Sequence, residues 1–191
     1  MLSRFQPHIH RRTKIAAIGA ALLITAGAAG SAVASGDLEA ADGKQREAAA
    51  LTGSAKLYRS LGDDITFTFD AHLAAKDTAD PLKATGTFRF SHYLNGEGAW
   101  AEATVDCLVT GGKVAVVSGV ITDSDLEGAK GKRVGITVHD LGGKDRLGYS
   151  WASTGSPVET ADLPKCVGSA PFEKVKAGTG DYKVLPWNPK F

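Results

Sequence analysis

The densest gathering of reactive side-chain types in this 191-residue chain is RVGITVHDLGGKDRLGYSW, residues 133–151. It sets His139, Asp140, Asp145 and Arg146 around the Gly142-Gly143 pair. A hydrolytic site needs a nucleophile, a base to activate it and a third group to orient the base. His139, Asp145 and Ser150 have those types. The stretch carries no GxSxG-like nucleophile turn, and GGKDRLG opens no helix whose N-terminus would hold a phosphate. The expectation is therefore a hairpin end with no catalytic residue. Asp140 and Asp145 cap the turn by accepting backbone N–H bonds, and the glycines supply positive φ.

A second pattern is DSDLEG, Asp123 to Gly128. Acidic groups at positions one, three and five with Gly at six repeat the opening half of an EF-hand calcium loop. The closing position is Val134 where a bidentate Glu belongs, and Lys130, Lys132 and Arg133 oppose a cation. Asp123, Asp125 and Glu127 are thus a weak calcium candidate, and the leading expectation is a solvated turn with no metal and no cofactor. His72, His92 and His139 fall on different faces and strand ends, so they do not form the convergent set that zinc requires.

These residues must be carried by strands. ITFTFDAHL, from Ile65 to Leu73, alternates apolar and polar side chains with a period of two, and no later segment has a helical apolar stripe. Asn95-Gly96 predicts a type I′ hairpin pairing Leu94 with Glu97, Arg89 with Glu102, Thr87 with Thr104, Phe90 with Ala101, Phe88 with Ala103 and Ala84 with Cys107. A Gly111-Gly112 turn predicts Val109 opposite Val114, Cys107 opposite Val116 and Ala103 opposite Val120. The loop from Asp140 to Asp145 places Val138, Ile136 and Val134 opposite Leu147, Tyr149 and Trp151, with His139 beside Arg146 on the solvent side. In this register Cys107 points into the core, as does His92 near its strand end. Trp100, Leu108, Val117 and Ile121 lie on the outer face, either covered by the C-terminal tail or exposed as a groove for a sugar, lipid or peptide.

The predicted fold is all-β, a single antiparallel meander closed as a small barrel or sandwich. Its C-terminal segment is irregular, because Pro157, Pro164, Pro171, Pro186 and Pro189 punctuate it. The apolar tail residues Phe172, Val175, Tyr182, Val184, Leu185 and Trp187 need burial against the sheet.

The N-terminal third reads differently. Arg4, Arg11, Arg12 and Lys14 precede an apolar run from Ile15 to Ala29, and Ala32-Val33-Ala34 offers small residues for cleavage. Residues 1–34 are read as a secretory signal peptide, by the general route or, through Arg11-Arg12, the twin-arginine route. Residues 35–50 are read as a flexible lead and 51–191 as one all-β domain. Removing the signal takes four basic residues and no acidic ones, leaving 18 basic against 21 acidic and a net charge of −3. A weakly acidic chain with no basic cluster does not suit nucleic acid or an anionic membrane surface. Two cysteines, Cys107 and Cys166, in an exported chain predict one disulfide.

The stretches LYRSLGDDITFTFDAH, GTFRFSH, VDCLVTGGKVAVVSGVIT, GKRVGITVHDLGGKDRLGYSW, and APFEKV followed by GTGDY and VLPW carry a resemblance. Over residues 51–191 the chain resembles small secreted proteins of streptomycetes and related actinobacteria labelled repetin. That resemblance implies secretion and supplies no activity, ligand or catalytic residue. The expectation for function is a secreted, monomeric, non-catalytic β-domain without a membrane span, binding an unknown ligand or cell-envelope component. The alternatives are a secreted hydrolase with a site near His139 and a lipocalin-like carrier of a small ligand.

Overall fold

The computed structural model describes residues 46–189; the expected signal peptide and most of the expected lead lie outside them. The strands are β1 (Glu47–Lys56), β2 (Asp64–Ala74), β3 (Thr85–Leu94), β4 (Glu97–Gly111), β5 (Val114–Ser124), β6 (Arg133–His139), β7 (Arg146–Tyr149), β8 (Glu173–Lys174) and β9 (Asp181–Leu185). They form one curled antiparallel sheet, a half-barrel, in the order β8-β7-β6-β5-β4-β3-β2-β1-β9. Leu57 bridges to Val175, so the segment after β8 draws the two ends of the sheet together. Among the described residues no helix is long and apolar enough to cross a membrane.

β1 begins four residues before the expected start of the domain at residue 51, and Ala49 and Ala50 are buried. Alanine has little strand preference of its own. Pairing with β2 on one side and β9 on the other decides its conformation here.

The Asn95-Gly96 hairpin forms as expected, with φ of 54° and 85° at its two central residues. Every predicted pair from Leu94–Glu97 to Thr87–Thr104 is present. Ala84 lies before β3, in the turn closing a short 3₁₀ segment, and does not pair with Cys107. On the inner face Phe67, Phe69, Phe88 and Phe90 meet Tyr149, Trp151 and Tyr182, with Phe90 and Trp151 centroids 4.4 Å apart. The small Ala101 and Ala103 opposite Phe90 and Phe88 leave room for the rings.

The next hairpin differs from expectation. Its two-residue turn is Gly112-Lys113, with φ of 55° at Gly112, so Gly111 pairs with Val114, Val109 with Val116 and Cys107 with Ser118. Two irregularities follow, one leaving Asp106 unmatched between Val105 and Cys107 and one displacing the ladder between Glu102 and Ala103. An extra residue in one strand reverses which side each later side chain faces. Leu108, Val117 and Ile121 are therefore core residues, 0%, 0% and 1% exposed, and not an outer groove. Cys107 and Ser118 turn instead to the opposite face.

The tail covers that face. Cys107 and Cys166 form the expected disulfide, with a Cα–Cα distance of 5.3 Å. Ser118 Oγ accepts the Cys166 N–H at 3.0 Å and donates to Asp106 at 2.6 Å. Arg133 bonds Asp106 through Nε at 2.7 Å and the Leu163 carbonyl through Nη1 at 3.3 Å. The tail lies so close to β6 and β7 that a Cβ on Gly135 would sit 1.8 Å from the Val167 oxygen, and one on Gly148 1.9 Å from the Ala170 oxygen. The polar-or-small face of this hairpin is a bed for the strap.

The β6–β7 register holds from His139–Arg146 to Ile136–Tyr149. Trp151 lies beyond the ladder in a turn and is not paired with Val134. Of the tail's apolar residues, Val175 and Tyr182 are buried and Val184 and Trp187 pack against the core, whereas Phe172 and Leu185 remain exposed.

Candidate functional site

Antiparallel pairing divides the loops between two ends of the half-barrel. One end, the mouth, gathers residues 57–63, the Asn95-Gly96 turn, residues 125–132 and the segment after Tyr149. The other gathers the Gly112-Lys113 turn and the 140–145 loop.

Beside an open cleft of about 420 Å³ along His92, Leu94, Asn95, Glu97 and Gly98, the mouth holds two adjoining clefts that share Phe90, His92, Trp151 and Gly155. The larger of the two has a volume of about 380 Å³ and runs past Trp100, Ala101, Leu126 and Pro157. The smaller, about 150 Å³, extends to Arg59, Ser91 and Tyr149. Trp151 lines both, and a tight turn holds it. Its carbonyl accepts the N–H of Thr154 at 3.2 Å and of Gly155 at 2.9 Å, where Gly155 has φ of 80°.

Polar groups ring this aromatic floor in pairs. Arg59 donates to both carboxylate oxygens of Glu173 at 2.7 Å, the strong two-pronged geometry of guanidinium and carboxylate. Burial raises the Tyr149 phenol above its ordinary value, and the Glu173 charge adds to this. His92 Nε2 lies 3.3 Å from Asp63 Oδ2. His92 follows the inward parity of Phe88 and Phe90, but at the strand end it is exposed and was wrongly expected in the core. Trp100 is half-buried beneath the Arg89 guanidinium, 3.9 Å from its ring centroid.

The residues singled out from sequence lie elsewhere. Asp145 is wholly buried; its Oδ1 accepts the Leu141 N–H at 2.7 Å and its Oδ2 the Tyr182 N–H at 2.8 Å. Asp140 accepts from Gly142 at 3.2 Å and from Val184 at 3.3 Å. Both are turn caps, and both also hold β9 in place. Ser150 accepts the Gly135 N–H at 3.2 Å. It stands four residues from Arg146, the partner of His139, which is roughly 13 Å along a strand. His139, Asp145 and Ser150 are therefore not brought together.

Asp123 pairs with Lys130 at 2.7 Å, and Asp125 accepts the Trp100 N–H at 2.7 Å. Among the described residues the one group of three possible metal ligands within 4.8 Å of one another is Asp140, Asp145 and Asp181. Its oxygens are largely occupied by backbone N–H groups and by Lys183, which holds the Asp181 carboxyl below its ordinary value. Asp181 was missed from sequence because nothing local connects it to a loop 36 to 41 positions earlier. Arg59, Trp151 and Ser156 were missed as mouth residues, although the hairpin registers already placed Phe90 and Trp151 at the same end.

The chain matches no protein-family model, no curated protein and no solved structure.

Proposed function

We propose that the chain is an exported, non-catalytic β-domain that works as a binding or cell-envelope module, with the mouth cleft as its ligand site. The observation that carries this reading is the cleft itself, an apolar aromatic floor ringed by a few polar groups, the usual make-up of a small-ligand site. Export is supported by the N-terminal pattern and by the disulfide. Kinship with the secreted actinobacterial proteins belongs to the same proposal and adds no activity to it. The separation of His139 from Ser150 speaks against a hydrolase centred there. Against a lipocalin-like carrier stands the interior, which is filled by Phe67, Phe69, Phe88 and Tyr182.

The test is mass spectrometry on protein purified from culture medium. The expected results are an N-terminus near Ser35 and a small molecule released on denaturation and absent from a Trp100→Ala, His92→Ala variant. A chain retained in the cell with residues 1–34 intact would overturn the export reading. Retention of the same molecule by the double variant would overturn the cleft.

A further inference from the structure

We propose that the outer face of β6, β7 and β8, at the end away from the mouth, binds a phosphomonoester group. This site is separate from the mouth clefts and does not depend on what they bind. The ladder sets His139 opposite Arg146 and Arg146 opposite Lys174, so three side chains of cationic type form one row across three strands. Val138 and Leu147, their neighbours along the strands, are wholly buried, which turns His139 and Arg146 outward, and Lys174 is exposed. Side chains directly opposite one another stand about 5 Å apart at Cβ, so all three reach a point above Arg146. No run of sequence shows this cluster, because pairing assembles it from three separate segments.

The row has no acidic partner. Lys56, Arg59, Lys83, Lys130, Arg133 and Lys183 each meet a carboxylate. Among the described residues, His139, Arg146 and Lys174 make no ion pair, and neither do Lys113, in the turn beside β6, and Lys144, in the loop before β7. The nearby carboxylates are directed elsewhere. Glu173, next to Lys174 in the chain, is held by Arg59. Asp140, Asp145 and Asp181 gather toward β9, where backbone N–H groups and the Lys183 ammonium occupy them. Like charges directly opposite one another destabilise a sheet, and Arg146 against Lys174 is such a pair. An anion seated on the row relieves it.

The number of cationic side chains selects the anion. The Arg146 fork alone satisfies both oxygens of a carboxylate, which would leave His139 and Lys174 without a partner. A phosphodiester likewise offers two unesterified oxygens and a single charge. A phosphomonoester presents three strong acceptor oxygens and a charge of about −1.5 to −2 at pH 7, one oxygen for each side chain of the row. The strap borders the row on its mouth side, where a Cβ on Gly168 would sit 2.6 Å from Thr137 Oγ1 and the Ala170 carbonyl lies over Gly148.

The test follows the His139 ring and the Arg146 Nε–H by NMR in the purified protein, titrated with inorganic phosphate, methyl phosphate, dimethyl phosphate and acetate. Co-sedimentation with phosphatidylcholine vesicles carrying either phosphatidic acid, a monoester, or phosphatidylglycerol, a diester, covers a lipid source. Inorganic phosphate and methyl phosphate should shift both signals with at least about tenfold higher affinity than dimethyl phosphate or acetate, while the Trp151 indole at the mouth stays still. Affinity should fall several-fold between ~50 and ~200 mM NaCl. Arg146→Gln should weaken binding about tenfold or more, whereas Lys83→Gln, whose ammonium pairs with Asp77, should not. Lys174→Glu puts an attractive pair in place of a repulsive one, so it should abolish phosphate binding and raise the melting temperature. Retention on phosphatidic acid vesicles without a response to the soluble esters would support the site with its phosphate on a lipid; the reverse pattern would support it with a soluble ligand. Equal affinity for the diester or for acetate would overturn the monoester, and unchanged affinity in Arg146→Gln would overturn the row. No response to any probe would overturn the site and leave the mouth cleft untouched.

Discussion

The buried carboxylate of Asp145 accepts the backbone N–H of Tyr182 at 2.8 Å, tying the β6–β7 loop to a strand 37 residues later. Asp140 does the same for Val184, so two side chains stand where a neighbouring strand would present carbonyls to the free side of β9. Removing the carboxylate in Asp145→Ala leaves the buried Tyr182 N–H and the part-buried Leu141 N–H without their acceptor and should cost about 2–4 kcal/mol. Denaturant unfolding would measure the loss. Amide exchange at Tyr182 and Val184 should accelerate well beyond the rest of the sheet; uniform acceleration would mean that Asp145 does not act through β9.

Two glycine substitutions should separate crowding from backbone conformation. Gly142→Ala meets nothing within 4 Å but keeps φ of 64°, and should cost about 1–2 kcal/mol. Gly135→Ala drives a methyl into the Val167 carbonyl, 1.8 Å away, and should cost about 3 kcal/mol or more while lifting the strap. Midpoints in guanidinium would give the order; equal costs would show that the strap yields freely.

No free thiol is expected when the native secreted protein is denatured without reductant. Replacing both cysteines by serine opens a link between positions 59 apart, worth about 4 kcal/mol in the loop-entropy account. The double variant should melt well below the parent, and a parent reduced under native conditions should match it.

His72 gives stability a pH dependence. Burial acts to lower its pKa, but the hydrogen bond to Asp70 and the charge of Glu47 outweigh burial and raise it above 6.5. A raised pKa means that the folded state binds the proton more tightly, so its contribution is complete below pH 6.5 and is lost as pH rises through the folded value. Because the ring is about a third exposed, the step should be below about 1 kcal/mol. Unfolding of His72→Gln, measured from mildly acidic to mildly alkaline pH, should lack the step, and an NMR titration of the ring should show the raised value.

The hairpins with decisive turn chemistry could be read from the chain. Asn95-Gly96 admits one register, and alternation from Val134 to Val138 admits one core face. Gly111-Gly112 offered two candidate frames, and local sequence does not say which glycine takes the first central position. A bulge then hid the true face of Leu108 and Val117, because period counting assumes an unbroken ladder. β9 escaped for another reason: its strand character comes from β1 and from two distant carboxylates. The mouth cleft was legible only in part, since it is assembled from loops that meet through closure of the sheet.

The unmatched residue Asp106 also governs how the chain tolerates changes in length. Along β4 it separates a stretch whose inward side chains line the cleft from one whose outward side chains anchor the strap. Deleting that one residue would set Cys107 directly after Val105 and restore an unbroken ladder, keeping the cysteine toward the strap and Leu108 toward the interior, but it would remove the carboxylate that Ser118 and Arg133 share. Loss of this residue is therefore compatible with the disulfide while a further single insertion beside it would reverse the faces beyond, and the mouth loops, which carry no such frame, are free to lengthen.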